Sequence, residues 1–402
     1  MLLAAAAPAL SANSYYVSLR DCRGKDAEKA VIGCSDLLER FKSRRLDWAY
    51  VHLKRGEAFA ALGKHDKAVA DFGRAISLKE RNAAAYFARG AVHAKMSAYP
   101  KAIADFTQVV KISPRTADAF HARGRAHAAL NRYRQAVADY DRAIAINRRL
   151  YRAYYDRGIA QYNVNEYEKA IDSFGTAIRL RPQFADAYYY RGIAYTNVGK
   201  FEDAIKNYDQ LLRQKPKDSI AYYNRAVAHA SLGENEKAIG DFGKAIEFNR
   251  QDPMAFQKRG VAYVSLKRFQ KAISTFSATS SRHPSTPSEG SPSPLGSIQK
   301  AIVDFNHALR LEPGNPLVHF LRGNAYRALR AYRKAIADFD QAIRLNRSYA
   351  AAFRDRGHAN YSLKRFETAV ADFDRALRLR PKDPGTLFTR GSAYAYLDRL
   401  AA

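Results

Sequence analysis

The dipeptide Arg-Gly returns along this chain at a spacing of 34 residues, and that period restricts the possible folds more than any other feature. It stands at Arg55-Gly56, Arg89-Gly90, Arg123-Gly124, Arg157-Gly158 and Arg191-Gly192, passes through Arg225-Ala226, and returns at Arg259-Gly260. After one break it resumes at Arg322-Gly323, Arg356-Gly357 and Arg390-Gly391. A period of this length marks a unit that leaves an apolar face uncovered and must stack on copies of itself.

One unit, Ala83 to Thr116, shows the plan. Tyr86, Gly90 and His93 recur at helical spacing, as do Ala102, Ile103, Phe106 and Val109 after a short turn at Ser97-Ala98-Tyr99. Pro114 then ends the second helix, since a residue without an N–H cannot continue it. Glycine inside a helix costs about 1 kcal/mol relative to alanine, yet the slot of Gly90 is glycine in nine of ten copies. Close approach of the second helix, at a slot that is alanine from Ala68 and Ala102 through to Ala369, is the expected compensation. A ring fills another slot in every copy: Phe72, Phe106, Tyr140, Phe174, Tyr208, Phe242, Phe276, Phe305, Phe339 and Phe373. These rings are read as core, each wedged between its own helix pair and the next.

Within one repeat, Tyr154, Gly158, Ala170, Phe174, Ala177 and Pro182 form a pattern that Tyr188, Gly192, Tyr195, Ala204, Tyr208 and Pro216 repeat in the next. This pattern resembles the tetratricopeptide repeat (TPR) family, and the likeness runs from Ala49 nearly to the C-terminus. It implies an all-α, right-handed superhelical solenoid of antiparallel helix pairs, whose first helices line a concave groove that holds a partner. The family pattern places groove positions two and five residues either side of each Arg. On that basis Phe87, Tyr155, Ile159, Tyr189, Ile193, Tyr223 and Val227 are the candidate peptide-binding residues. Tyr155, Tyr189 and Tyr223 fall in consecutive repeats, suited to an extended peptide whose backbone a phenol could hydrogen-bond. The alternative is that they pack between neighbouring first helices. The Lys/Asn carboxylate clamp of chaperone-binding relatives is missing, with Asn224 and Asn324 isolated at suitable slots.

The period fails once. From Arg259 the next Arg-Gly comes after 63 residues, and Ser277 to Ser297 is rich in Ser and Pro and reads as a loop or linker. The expected division is a possible signal remnant at 1–12, a two-cysteine helical segment at 13–48, seven repeats at 49–284 and a linker at 285–297 that replaces one helix. The remaining 298–402 then holds an orphan second helix, two repeats and a terminal helix. Pro384 to Leu400 carries Leu387, Phe388, Ala393, Tyr394 and Leu397 with no second helix behind it, which points to self-association or to a truncated chain.

Met1 to Ala12 is apolar and uncharged, like a secretory signal lacking its basic start, and is too short to span a bilayer. Export to the periplasm is the expectation; an Ala-rich tail on a cytoplasmic protein is the alternative. Asp26 is a candidate N-cap for a helix from Ala27 to Phe41, which places Cys34 in that helix and Cys22 in the coil before it. An exported protein would allow these two to join as a disulfide. Alternatively, aligning Lys29-Ala30-Val31 with Lys67-Ala68-Val69 puts Cys34 in the ring slot as a buried thiol. Exported bacterial TPR proteins are similar in order: a signal, a short two-cysteine helical segment, then repeats.

Lys and Arg total 67 against 39 Asp and Glu, a net charge of +28. Such a charge attracts polyanions, nucleic acid included, although no nucleic-acid-binding motif is visible and the basic residues are dispersed. Part of the excess has a structural use if each Arg of the Arg-Gly pair meets the Asp recurring at Asp71, Asp105, Asp139, Asp241, Asp338 and Asp372. There is no metalloprotease, phosphate-loop or nucleophile-elbow motif. His93, His127 and His229 sit in a core slot, and His121 and His127 are on different helix faces, so no metal or other cofactor is expected. The expectation is a non-catalytic scaffold for a protein or peptide, with no small-molecule substrate; the alternative is an electrostatic polyanion binder.

Overall fold

A computed structural model of the chain describes residues 12–41, 46–280 and 294–401, with side chains left aside at 12–13, 267–280, 294 and 399–401. The apolar opening, most of the Ser/Pro-rich stretch and the ring slot at Phe276 therefore lie outside what is described. All described regular structure is α-helix. Two compact units divide at Ala194.

The first unit pairs α1 (Ala12–Arg23) with α2 (Ala27–Arg40), α3 (Trp48–Ala61) with α4 (His65–Leu78), α5 (Ala83–Lys95) with α6 (Tyr99–Ile112), α7 (Ala117–Ala129) with α8 (Tyr133–Ile146) and α9 (Tyr151–Asn163) with α10 (Tyr167–Leu180). Helix α11 (Ala185–Asn197) crosses the division. The second unit carries α12 (Phe201–Gln214), then pairs α13 (Ser219–Ser231) with α14 (Asn235–Phe248) and α15 (Pro253–Ser280) with α16 (Pro294–Leu311). It continues with α17 (Pro316–Ala328) on α18 (Tyr332–Leu345), α19 (Ala350–Ser362) on α20 (Phe366–Leu379), and α21 (Pro384–Ala401).

Local chemistry sets the helix ends. The side chains of Asp26, Asp47, Asn82, Asp218 and Asn315 accept N–H bonds from the first turns of α2, α3, α5, α13 and α17. Inside the pairs from α3 to α14 and from α17 to α20 one left-handed residue reverses the chain: Gly63, Ser97, Asn131, Asn165, Gly199, Gly233, Arg330 and Lys364, all with φ between 57° and 78°.

Packing of a pair centres on the glycine and the ring, which corrects the expected glycine–alanine approach. A Cβ on Gly56, Gly124 or Gly158 would stand 2.6–2.7 Å from the ring of Phe72, Tyr140 or Phe174. The glycine thus makes room for its own repeat's ring, and the alanine slot packs beside it, fully buried. Rings also meet a small residue of the next first helix, as Phe106 does with Ala126, Tyr140 with Ala160, Phe339 with Ala359 and Phe72 with Val92. Burial of such a ring contributes about 2–3 kcal/mol.

Two expectations about the break are overturned. The helix expected to stand alone after residue 298 has a mate: Phe305 of α16 fills the space over Gly260 of α15, at 2.7 Å from an added Cβ. Nor do residues 253–280 form a helix pair of their own, as seven repeats at 49–284 would require, since α15 runs as one helix from Pro253 to Ser280. Residues 253–266 need one ring and one carboxylate to complete the pair, and α16 supplies both, so the second half of α15 is not folded back to supply them. Helix α16 also begins inside the stretch read as linker, with Ser297 and Ile298 already buried.

At the N-terminus Cys22 lies in helix α1 rather than in coil. Its Sγ is 2.00 Å from that of Cys34, a disulfide between α1 and α2. Gly33 lets the two helices touch there, because a Cβ would meet the Ser18 carbonyl oxygen at 2.6 Å.

Candidate groove of the first helices

A ladder of guanidinium–carboxylate pairs holds the first helices in place. Arg55 Nε and Nη2 donate to Asp71 at 2.8 and 2.9 Å, and Arg123 does the same to Asp139 at 2.9 and 2.6 Å. Arg89–Asp105, Arg225–Asp241, Arg322–Asp338 and Arg356–Asp372 repeat this two-pronged contact. The remaining nitrogen, Nη1, reaches the preceding second helix: Asp141 from Arg157 at 2.7 Å, Asn306 from Arg322 at 2.7 Å and Asp374 from Arg390 at 2.7 Å. Each such Arg ties together its own helix and a neighbouring second helix, and its charge is spent inside the fold. Where the carboxylate is replaced, Arg157 Nε donates to the Ser173 hydroxyl, which donates to Gln161 Oε1 at 2.7 Å.

Within each unit the first helices also meet one another. Helix α5 touches α3 and α7, α7 touches α9, α15 touches α13 and α17, and α19 touches α17 and α21, whereas among the described contacts no second helix touches another. First helices thus form the inside of the local curve, and side chains on their free face line it.

At five positions the ring two residues before the Arg rests on the core ring of its own pair. Phe87 lies 5.5 Å from Phe106, His121 5.7 Å from Tyr140 and Tyr155 5.9 Å from Phe174. In the second unit Tyr223 lies 5.6 Å from Phe242, and Phe320 5.9 Å from Phe339. These side chains are half-buried: one face is held by the core and the rest stays accessible. Val227 likewise packs against the cluster of Ala226 and Phe242, and Ile159 and Ile193 are part-buried one turn beyond Tyr155 and Tyr189.

The structure brings Tyr155 and Tyr189 into one aromatic cluster through a residue that sequence reasoning passed over, Tyr190. Its ring is 5.9 Å from Tyr155 and 5.1 Å from Tyr189, and Phe184 closes on Tyr155 at 4.7 Å. The run Tyr188-Tyr189-Tyr190 was the available signal. Burial, then the neighbouring Tyr190, Asp186 and Asp156, push the Tyr155 phenol well above the ordinary tyrosine range, and burial pushes Tyr223 the same way. Both phenols stay protonated and able to donate. Beside the cluster His121 Nε2 lies 2.7 Å from Asp156 Oδ2, joining α7 to α9. The six-residue spacing of His121 and His127 could not have shown this cross-helix pair.

Three other groups singled out in the sequence have definite places. His93 and His127 face Asp105 and Asp139, each at 3.9 Å, and His229 is buried with Glu234 at 2.6 Å. In α21, Ala393 is buried against Phe373, while Phe388 is 79% exposed. No helix among the described residues is long and apolar enough to cross a membrane.

Antiparallel helix pairs locked by a repeated ring, glycine and arginine, with first helices lining an inner face, define an all-α solenoid of the kind that serves as a protein–protein interaction scaffold. The chain belongs to the tetratricopeptide repeat family: residues 121–174, 194–255 and 320–384 match one tetratricopeptide repeat model, and 56–97 and 164–199 match a second TPR model. No curated protein matches the chain. Among solved structures it is similar to MamA, at 24% identity over 41% of this chain and 96% of that one, with a TM-score of 0.40. It is also similar to YrrB, described as a TPR protein with an unusual peptide-binding site, at 21% identity over 46% of this chain and 94% of that one, with a TM-score of 0.41. A tetratricopeptide repeat protein of Parabacteroides merdae shares 19% identity over 62% of this chain and 99% of its own, with a TM-score of 0.45.

Proposed function

We propose that this chain is a non-catalytic scaffold that holds a segment of a protein partner against the inner face of its first helices. The observation that carries this reading is the cluster of Tyr155, Phe184, Tyr189 and Tyr190, where rings fixed by the core keep accessible edges. Rings already held in one orientation lose little freedom on binding, and a protonated phenol can hydrogen-bond a peptide backbone. Phe87, Ile159 and Ile193 extend the contact within the first unit, and Tyr223 and Val227 offer the same kind of surface within the second. The rival reading, a polyanion binder, is weakened but not removed by the arginine ladder, because exposed residues such as Arg148 and Arg149 stay outside it.

Capture of partners from the native cell at low and high salt, with and without nuclease, tests the two. A defined protein retained at high salt by the wild type and lost by a Tyr155→Ala/Tyr189→Ala variant supports the scaffold. Nucleic acid alone, stripped by salt and indifferent to both tyrosines, overturns it in favour of the polyanion reading.

Export is part of the proposal. It is supported by the cystine between Cys22 and Cys34, since such bonds persist in oxidising compartments. Fractionation of cells producing the C-terminally tagged chain decides it: recovery in the cytoplasm alone would reject export.

A further inference from the structure

A cavity of about 610 Å³ opens on the first-helix face of the second unit, between α15, α16, α17 and α19. Val261, Val264, Phe305, Phe320, Leu321 and Ala325 make its apolar floor. Asn324, Arg327, Arg354 and Asp355 stand at its polar side, and the exposed Ala328 joins them.

The two arginines differ in their partners. Arg354 Nε donates to Asp355 at 3.0 Å and its Nη1 lies 3.7 Å from Asp383, so its charge is met within the fold. Arg327 has no carboxylate within ion-pair distance among the described residues; its Nη2 donates only to the amide oxygen of Asn324 at 3.3 Å. Its Nε is buried and has no acceptor among the described residues. A buried donor without an acceptor is unfavourable, and a carboxylate brought by a ligand would satisfy both the hydrogen bond and the charge.

We infer that this cavity receives a short acidic segment of a protein partner, in which a bulky aliphatic or aromatic side chain enters the apolar floor and an adjacent Asp or Glu meets Arg327. The inference rests on the scaffold reading above and names the chemistry of the segment that the second unit holds. Charge complementarity selects an acidic partner at long range as well, since the chain carries +28.

Panning a random displayed-peptide library on the immobilised full chain tests it, followed by solution titration of one enriched synthetic peptide. The expected peptides pair an apolar residue with a neighbouring carboxylate. Their affinity should fall about ten-fold for Ala328→Trp, which blocks the mouth from an exposed position, and for Arg327→Glu. Arg327→Glu should in turn prefer the same peptide with Lys in place of its carboxylate residue, a reversal that a merely unfolded variant would not show. Peptides that need no carboxylate, or that bind Ala328→Trp unchanged, overturn the inference, as does a library that enriches nothing. Peptides lost in Tyr155→Ala/Tyr189→Ala but indifferent to Ala328→Trp would overturn it while leaving the scaffold reading intact.

Discussion

The guanidinium of Arg259 closes on the carboxylate of Asp304, 45 residues further along, with Nε 2.9 Å from Oδ2 and Nη2 2.7 Å from Oδ1. At the other rungs of this type, such as Arg225 with Asp241, the partner is 16 residues on. The longer interval identifies α16 as the second helix of the pair that α15 begins. Phe305→Ala is therefore expected to cost about 3–5 kcal/mol, as for any fully buried ring. Urea unfolding, with amide exchange followed in α15 and α16, would show it; a change within about 0.5 kcal/mol would mean that α16 is not that mate.

Two glycines at the same repeat slot should respond oppositely to alanine. A Cβ at Gly158 would meet the Phe174 ring at 2.6 Å, so Gly158→Ala should destabilise despite alanine's better helix propensity. Gly391 has nothing within 4 Å of such a Cβ, and Gly391→Ala should stabilise α21 by about 1 kcal/mol. Thermal melts of the two variants beside the wild type are the measurement, and a shared sign would refute the ring-under-glycine account.

Stability of the first unit should fall as the pH drops below neutrality. Burial, opposed by Asp105 and reinforced by Arg89 and Lys101, holds the His93 pKa below its ordinary 6.5. His127 is lowered in the same way, with Asp139 opposing burial and Arg123 and Arg132 adding to it. Folding favours the neutral rings, so their contribution is complete above the ordinary value and is lost as pH falls through it towards the depressed ones. The melting temperature should be lower at about pH 5 than at about pH 7.5, and less so in a His93→Gln/His127→Gln variant. An equal drop in that variant would assign the effect to other groups.

Reduction should loosen only the first helix pair. The cystine joins residues 12 apart in sequence, a loop whose closure is worth about 3 kcal/mol. With reductant, amide exchange is expected to rise in α1 and α2 and to stay unchanged beyond α4. Loss of protection throughout the first unit would show that the cystine supports more than its own pair.

Much of this architecture could be read from single residues. The constant slots for Arg, Gly, Ala and the ring require a helix pair that stacks on its copies, because each slot answers a local demand: a ring needs a gap, and a buried carboxylate needs a guanidinium. The groove was less legible. Tyr155 and Tyr189 were visible as members of a series, but Tyr190 joins them only because α9 and α11 lie side by side. The His121–Asp156 pair, at a separation of 35 residues, depends on the neighbouring first helices in the same way.

The periodic sequence by itself determined the unit of this protein: two amphipathic helices, the turn between them, and the residues that lock them. Which helix completes which pair was decided by tertiary structure alone. The 34-residue period makes α16 an orphan, yet the buried faces of α15 accept one ring and one carboxylate from any helix that can reach them. Phe305 and Asp304 reach them across the break. A repeat is held by contacts between faces, and those contacts do not depend on the length of chain that joins the helices.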